Sequence, residues 1–202
     1  MRAFTRHTGI MAPIDRDNVD TDAIIPQRWL ITVERAGLGA GLFGGWRYDS
    51  EGRKDPNFTL NQQADAHASV VVARSNYGCG SSREHAVWAH LDYGIHAIIA
   101  SSYGSIFYEN CLKNGLLPVV LAETQVDALM RQALTGDGSS AVIDLEANQV
   151  IGPDGIVYKF NIDAGRRQAL LEGKDEISAT LARQDAINRF EEWQASTQPW
   201  LT

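Results

Sequence analysis

The greatest density of chemically capable side chains falls at Tyr77-Gly78-Cys79-Gly80-Ser81-Ser82-Arg83-Glu84-His85. An apolar run, Ala68 to Ala73, precedes it, and helical spacing through Val87 and Leu91 follows as far as Gly94. The pattern predicts a strand, a glycine-rich turn and a helix N-terminus. Two glycines let such a turn bring backbone N–H groups against a ligand. A helix start adds up to about four unpaired N–H donors and roughly half a unit of positive charge. With Arg83 beside it, and Ser81 or Ser82 available as a cap, the segment suits a carboxylate or a phosphate. A purely structural capped turn is the competing reading. No common glycine motif fits: Arg83 stands where a dinucleotide fingerprint needs its third glycine, and neither a Walker loop nor a nucleophile elbow is present. His85 could pair with Ser81 or Ser82, but no third member of a triad accompanies them.

A serine acting as base here faces an energetic deficit. Moving even a group of pKa ~10 down to ~7 takes about 4 kcal/mol, whereas a helix terminus supplies at most ~2. An alkoxide would need Arg83 and further positive charge from a cofactor or another chain. Cys79 and Cys111 are the only thiols, too few to furnish an iron–sulfur cluster. Cys79 reads as turn packing, with no catalytic thiolate. His7, His67, His90 and His96 lack zinc-site spacing and read as structural or surface residues. Two further segments carry charge. Asp15, Asp17, Asp20 and Asp22 crowd around Arg16, Asn18 and Thr21, as on a solvated loop. Residues 37–48 (GLGAGLFGGWRY) combine five glycines with Leu42, Phe43, Trp46 and Tyr48. That mixture suits either a closing lid, with Arg47 as its anion-seeking group, or a loop packed on the domain.

The elements that must position these residues follow an α/β rhythm. Strands are expected at the start of the chain to about Met11, at 68–73, at 97–100 and at 116–121, with Pro118 marking the last as an edge or irregular strand. Helices are expected over 85–94, over 106–112 closed by Gly115, and from Thr124 as cap to Leu134 with a stop at Gly136. After Gly138, the runs 141–145, 150–151 and 156–162 read as antiparallel strands. Asp163 caps a helix stopped by Gly173, and Ile177, Leu181, Ile187 and Phe190 form a stripe on a terminal helical segment interrupted near Asp185. Of 202 residues, 44% are hydrophobic, enough for a core; 18 Lys+Arg against 25 Asp+Glu gives a net −7, which argues against a nucleic-acid-backbone partner. No run is long and apolar enough to cross a bilayer and no leader pattern is seen; with only two cysteines, the expected compartment is the cytoplasm, or an organelle matrix after a lost transit peptide.

Asp17-Asn18-Val19-Asp20-Thr21-Asp22 with Ile24-Ile25-Pro26, and Tyr77 through Ala86, together resemble the small subunits of bacterial 3-isopropylmalate dehydratase, the unit that forms the swivelling fourth domain of aconitases. The likeness extends to 37–49, to 93–119 and to Phe190-Glu191. It implies a single α/β domain over 1–202, a three-layer β/β/α fold with a parallel central sheet and an adjacent antiparallel sheet, a flexible substrate loop at about 35–50 and a helical extension at about 163–198. It implies a hydro-lyase that interconverts 2- and 3-isopropylmalate in leucine biosynthesis and is active only with a large subunit. That partner holds a 4Fe–4S cluster acting as Lewis acid on the substrate hydroxyl; this chain binds no cofactor or metal and no membrane. By the same resemblance Ser81 is the base, Arg83 is catalytic, and Ser82, Thr21 and Asp22 bind substrate, a small dicarboxylate, with Arg35 or Arg47 as the additional arginine. Related readings are the small subunit of homoaconitase or of a citraconate or dimethylmalate hydratase. A reading of another class is a non-catalytic RNA-binding or anion-binding module.

Overall fold

A computed structural model describes residues 1–30, 34–62, 65, 67–135 and 138–201. Among them, seven strands, β1 (Arg6–Ile14), β2 (Val70–Ala73), β3 (Ala97–Ala100), β4 (Leu117–Val120), β5 (Ser140–Asp144), β6 (Gln149–Ile151) and β7 (Val157–Lys159), pair in the order β4-β3-β2-β1-β5-β6-β7. The β4-β3-β2-β1 half is parallel, with Met11 opposite Val70 and Val70 opposite Ala97; the β1-β5-β6-β7 half is antiparallel. The expected strand directions are present, but the two halves are one sheet, not two. The reason is β1, nine residues long, which pairs β2 through Met11–Ile14 and β5 through Arg6–Ile10. It starts and ends later than the sequence reading placed it.

The helices are α1 (Thr21–Ile24), α2 (Gly44–Arg47), α3 (His85–Tyr93), α4 (Ser105–Asn114), α5 (Glu123–Ala133), α6 (Ala164–Glu172), α7 (Glu176–Leu181) and α8 (Gln184–Thr197). Strands β2 and β3 are buried at every residue, as expected of parallel strands covered on both faces. The period-two alternation of a strand divides them between two cores. Val71 and Ile98 join Val87, Ile95 and Phe107 on the α3–α4 side; Val70, Val72 and Ile99 join Val126, Leu129 and Met130 of α5 on the other. Pro118 lies on β4, the edge strand, where a missing N–H is tolerated.

Several details depart from expectation. The α5 helix begins at Glu123, not at a Thr124 cap, and the Ala122 N–H donates to Gln125 Oε1 at 3.1 Å. The expected stop at Gly136 lies outside the described residues. Asp163 caps α6 as expected by accepting from Arg166 N at 3.0 Å, and Gly173 ends it in the left-handed region. The break between α7 and α8 falls at Ala182–Arg183. The 37–48 segment takes the packed alternative: Leu38, Leu42 and Phe43 are fully buried in the α3-side core. Among the described residues no helix is long and apolar enough to cross a membrane.

Candidate functional site

The turn after β2 is built by close approach. Gly78 (φ +71°) and Gly80 (φ +91°) occupy the left-handed region, and a Cβ on Gly78 would lie 2.2 Å from the Phe107 ring. No side chain fits there. Beneath the turn, Tyr77 and His90 are fully buried, with Tyr77 Oη 2.7 Å from His90 Nε2 and His90 Nδ1 2.7 Å from Ala86 O. Burial lowers His90 to about 4, so the ring is neutral. Since Ala86 O can only accept, Nδ1 carries the proton and the Tyr77 hydroxyl donates to Nε2. Phe43 and Phe107 pack edge-on against the same imidazole. The turn therefore stands on a satisfied, rigid aromatic base. Sequence reasoning treated Tyr77 only as the first residue of the motif.

The acids of the early loop are exposed, as on a solvated loop, and they also act as staples. Asp15 pairs with Arg74 at 2.5 Å, Asp17 accepts from Ser75 N at 3.0 Å and from Ser75 Oγ at 2.5 Å, and Asp20 caps α1 through Ala23 N at 2.7 Å. The two bonds from Ser75 hold the Asp17 carboxyl below its usual range. Backbone bonds Gly78 N to Val19 O (2.7 Å) and Thr21 N to Cys79 O (3.0 Å) lash this loop to the glycine turn. Asp22 is left facing Arg83, with which it forms an ion pair. Thr21, buried, accepts the Ser81 N–H at its Oγ1 over 3.3 Å. Thus Thr21, Asp22, Ser81 and Arg83, some 60 residues apart in sequence, meet at one edge of the sheet.

Neither serine caps α3, contrary to expectation. Glu84 occupies the N-cap position without a side-chain cap bond, and the Ser81 and Ser82 hydroxyls engage no partner among the described residues. Both hydroxyls are free for a ligand. Arg83 has its second guanidinium edge available, because the ion pair to Asp22 occupies only Nη1. An open depression of about 580 Å³ lies beside the turn, lined by Gln27, Arg28, Leu30 and Arg83. Arg28 was missed in the sequence; its only signal is its place two residues after Ile24-Ile25-Pro26, on the 3₁₀ turn Gln27–Trp29 that leads away from the Asp22 loop.

The two further arginines divide. Arg35 is exposed and lies 5.0 Å over the Trp88 ring on the outer face of α3, with His85 against the same ring. Arg47 is buried inside its own loop: it donates to Gly39 O and Leu42 O, each at 3.2 Å, and stacks on Tyr48 and Tyr93. The structure does not bring Arg47 to the turn, because the loop's carbonyls consume its donors. Cys79 is partly exposed on the turn and Cys111 is buried in α4, so the two thiols do not offer a cluster site. Among the described residues no group of three or more His, Cys, Asp or Glu could hold a metal ion.

Comparison with known proteins finds relatives along the length of the chain. Residues 1–124 match the aconitase C-terminal domain, 127–164 match a model described as LeuD_N, and 176–202 match the C-terminal domain of the 3-isopropylmalate dehydratase small subunit. The chain is 60% identical to 3-isopropylmalate dehydratase small subunit 1 of Bordetella pertussis, over 100% of both chains. It is 48% identical to the small subunit of Sinorhizobium fredii, over 99% of this chain and 100% of that one. A crystal structure of 3-isopropylmalate dehydratase from Methanocaldococcus jannaschii superposes with a TM-score of 0.68 at 29% identity, covering 91% of this chain and 98% of that one. The chain belongs to the family of 3-isopropylmalate dehydratase small subunits, within the aconitase superfamily.

Proposed function

We propose that this chain forms one wall of a hydro-lyase site completed by a large subunit, interconverting 2-isopropylmalate and 3-isopropylmalate in leucine biosynthesis, with Ser81 as the base. The observation that carries the reading is the unengaged Ser81 hydroxyl held beside the Arg83–Asp22 pair on an open edge. Ser81 Oγ takes the proton from the carbon next to the hydroxyl-bearing one and returns it on rehydration. Arg83 binds a substrate carboxylate on the guanidinium edge left free by Asp22, and Ser82 contributes a second donor. Thr21 holds the Ser81 backbone, and Asp22 fixes the plane of Arg83. A dicarboxylate carries two charges, and Arg28 shares the depression with Arg83, so Arg28 is the cation at the rim for the second carboxylate, while Arg35, over Trp88, stands outside that lining. Arg47 keeps the glycine loop in shape and does not touch substrate.

The site is incomplete by itself. Ser81 is only half-buried, Ser82 is exposed, and the Arg83 and Asp22 side chains are 29% and 59% exposed, whereas activating a serine requires dense positive charge in a dry environment. That charge must come from a second chain. The iron–sulfur cluster belongs to that large subunit, since this chain cannot ligate one. A cytoplasmic assembly suits the reading.

The test is reconstitution. The purified chain should be inactive and should gain turnover only on mixing with cluster-loaded large subunit; Ser81→Ala should lower turnover about 10³-fold while still co-eluting with the partner. Turnover by the lone chain, or normal turnover by S81A in the complex, would overturn the assignment. A panel of 2-isopropylmalate, homocitrate, citraconate and dimethylmalate given to the same complex fixes the substrate.

A further inference from the structure

The opposite end of the parallel strands carries a second polar assembly that the hydro-lyase reading does not use. His7 enters β1, Ser69 immediately precedes β2, and His96 immediately precedes β3, so their side chains gather at the N-terminal edge, across the sheet from the Ser81 turn. A cavity of about 460 Å³ opens there, lined by Arg2, Phe4, Arg6, His7 and His96 with the end of α4. The His7 and His96 rings stand edge to face with centroids 4.8 Å apart. His7 Nε2 lies 2.7 Å from Ser69 Oγ, a contact that only a glycine at position 9 permits: a Cβ on Gly9 would sit 2.0 Å from that oxygen and 2.7 Å from Nε2.

The charge arrangement is one-sided. Two arginines and two imidazoles face the cavity, and no Asp or Glu lines it. The acids on neighbouring elements each have a partner of their own: Asp144 of β5, opposite Arg6 in register, accepts from Ala147 N at 2.8 Å, Asp92 of α3 accepts from Gly39 N at 2.7 Å, and Glu84 accepts from Asn114 Nδ2 at 2.6 Å. The N-terminal ammonium is turned away to Gly173 O at 3.2 Å. Arg2 and Arg6 form no ion pair among the described residues. Burial and the Arg2 charge push both imidazoles below their ordinary pKa, and His96 adds to the effect on His7. Arg2 and Arg6 are exposed, and an anion placed among these groups would favour the charged imidazoles that burial and the Arg2 charge disfavour.

We propose that this cavity is a binding site for a small oxyanion, a phosphate or carboxylate group, held by Arg2, His7 and His96 with Arg6 at its rim. The volume leaves room for a small body attached to the anionic group. Binding favours the imidazolium forms, so affinity rises as pH falls toward the histidines' own titration range. The site is separate from the Ser81 turn, and its occupancy does not depend on the hydro-lyase reading.

The full chain, labelled with ¹⁵N, is titrated with inorganic phosphate and separately with malonate, at ionic strength fixed with sodium chloride, while the histidine side-chain signals are followed across pH. Saturable shifts are expected at His7 and His96 and not at His67 or His85, with the pKa of both responsive rings raised by about one unit at saturation, a tenfold preference for the protonated form. Arg2→Ala and His96→Gln should each weaken binding about tenfold or more, with the fold checked by the amide spectrum, whereas the exposed control Arg53→Ala should not. Ser81→Ala should leave binding intact, which keeps this test apart from that of the catalytic turn. A response to phosphate alone or to malonate alone identifies the group recognised. Shifts that chloride reproduces, shifts that do not saturate with either anion, or a titration unchanged by R2A would overturn the proposal.

Discussion

Helices α3 and α8 are both patterned with apolar residues, yet they end in opposite circumstances. The α3 helix buries Ala86, Val87, Ala89 and His90 completely between the sheet and the 38–47 segment. The longer α8 buries nothing: Phe190 and Trp193 touch each other, ring centroids 5.7 Å apart, and each remains more than half exposed. Ile177 and Leu181 of α7 and Trp200 beyond α8 are exposed to the same degree. An amphipathic stripe specifies that a face will be covered without specifying by what. In α3 the cover is local chain; over Ile177, Leu181, Phe190 and Trp193 none of the described residues supplies it.

The largest effect that tests this contrast is catalytic, because the proposed base lies at the N-terminal end of α3. Ser81→Ala in the reconstituted complex should lower kcat by about 10³-fold, the order expected for removing a positioned base, with denaturation midpoint unchanged. Parallel measurement of kcat and urea midpoint checks it; a coupled fall in stability would mean that Ser81 serves the fold.

Next in size is packing. Leu129→Ala on α5, fully buried, should cost about 2–5 kcal/mol in urea unfolding, whereas Phe190→Ala on α8 should stay within about 0.5 kcal/mol. Comparable losses at the two positions would erase the distinction between the body and the terminal helices.

The buried base of the turn gives a smaller effect that depends on pH. His90 titrates near 4 in the folded chain and near 6.5 when unfolded. Between those values the unfolded chain holds a proton that the folded chain refuses. The stabilising contribution is therefore whole above about pH 6.5 and is lost as pH falls, by roughly 3 kcal/mol once pH reaches 4. Urea midpoints measured across that range should show a shallower acid-side slope in His90→Gln than in the parent chain, whatever the variant's absolute stability; identical slopes would mean that His90 does not govern it.

Much of this was legible in the sequence, and what was not has a physical reason. Fully apolar runs at 70–73 and 97–100, and the glycine turn between them, announce parallel strands and a site because their patterns are local. Pro118 narrowed its strand to an edge or irregular one for the same reason, and the strand lies at the edge. Sheet continuity was not legible, since it depends on which half of β1 each neighbour takes. Nor was the division among arginines: Arg28, Arg35 and Arg47 have similar local contexts, and only the fold shows that loop carbonyls absorb the last. The four acids of the early loop look equivalent in sequence, yet three are bound to local backbone or to Arg74 and Asp22 alone faces Arg83.

The smallest expected effect on stability is also the most discriminating. Deleting 176–202 removes α7, α8 and five large apolar side chains that are each more than half exposed, but no described buried one. The urea midpoint of the truncated chain should match that of the full chain to within about 0.5 kcal/mol. The same residues match a family model of their own, that of the C-terminal domain of these small subunits, and three of the five side chains are aromatic, each of a size to bury roughly 150–250 Å² when covered. On the reading that the large subunit supplies that cover, the truncated chain should keep its fold and lose co-elution and turnover with the partner. A lowered midpoint would show that the helices pack on the body after all. Full assembly without them would place the large subunit elsewhere on the surface.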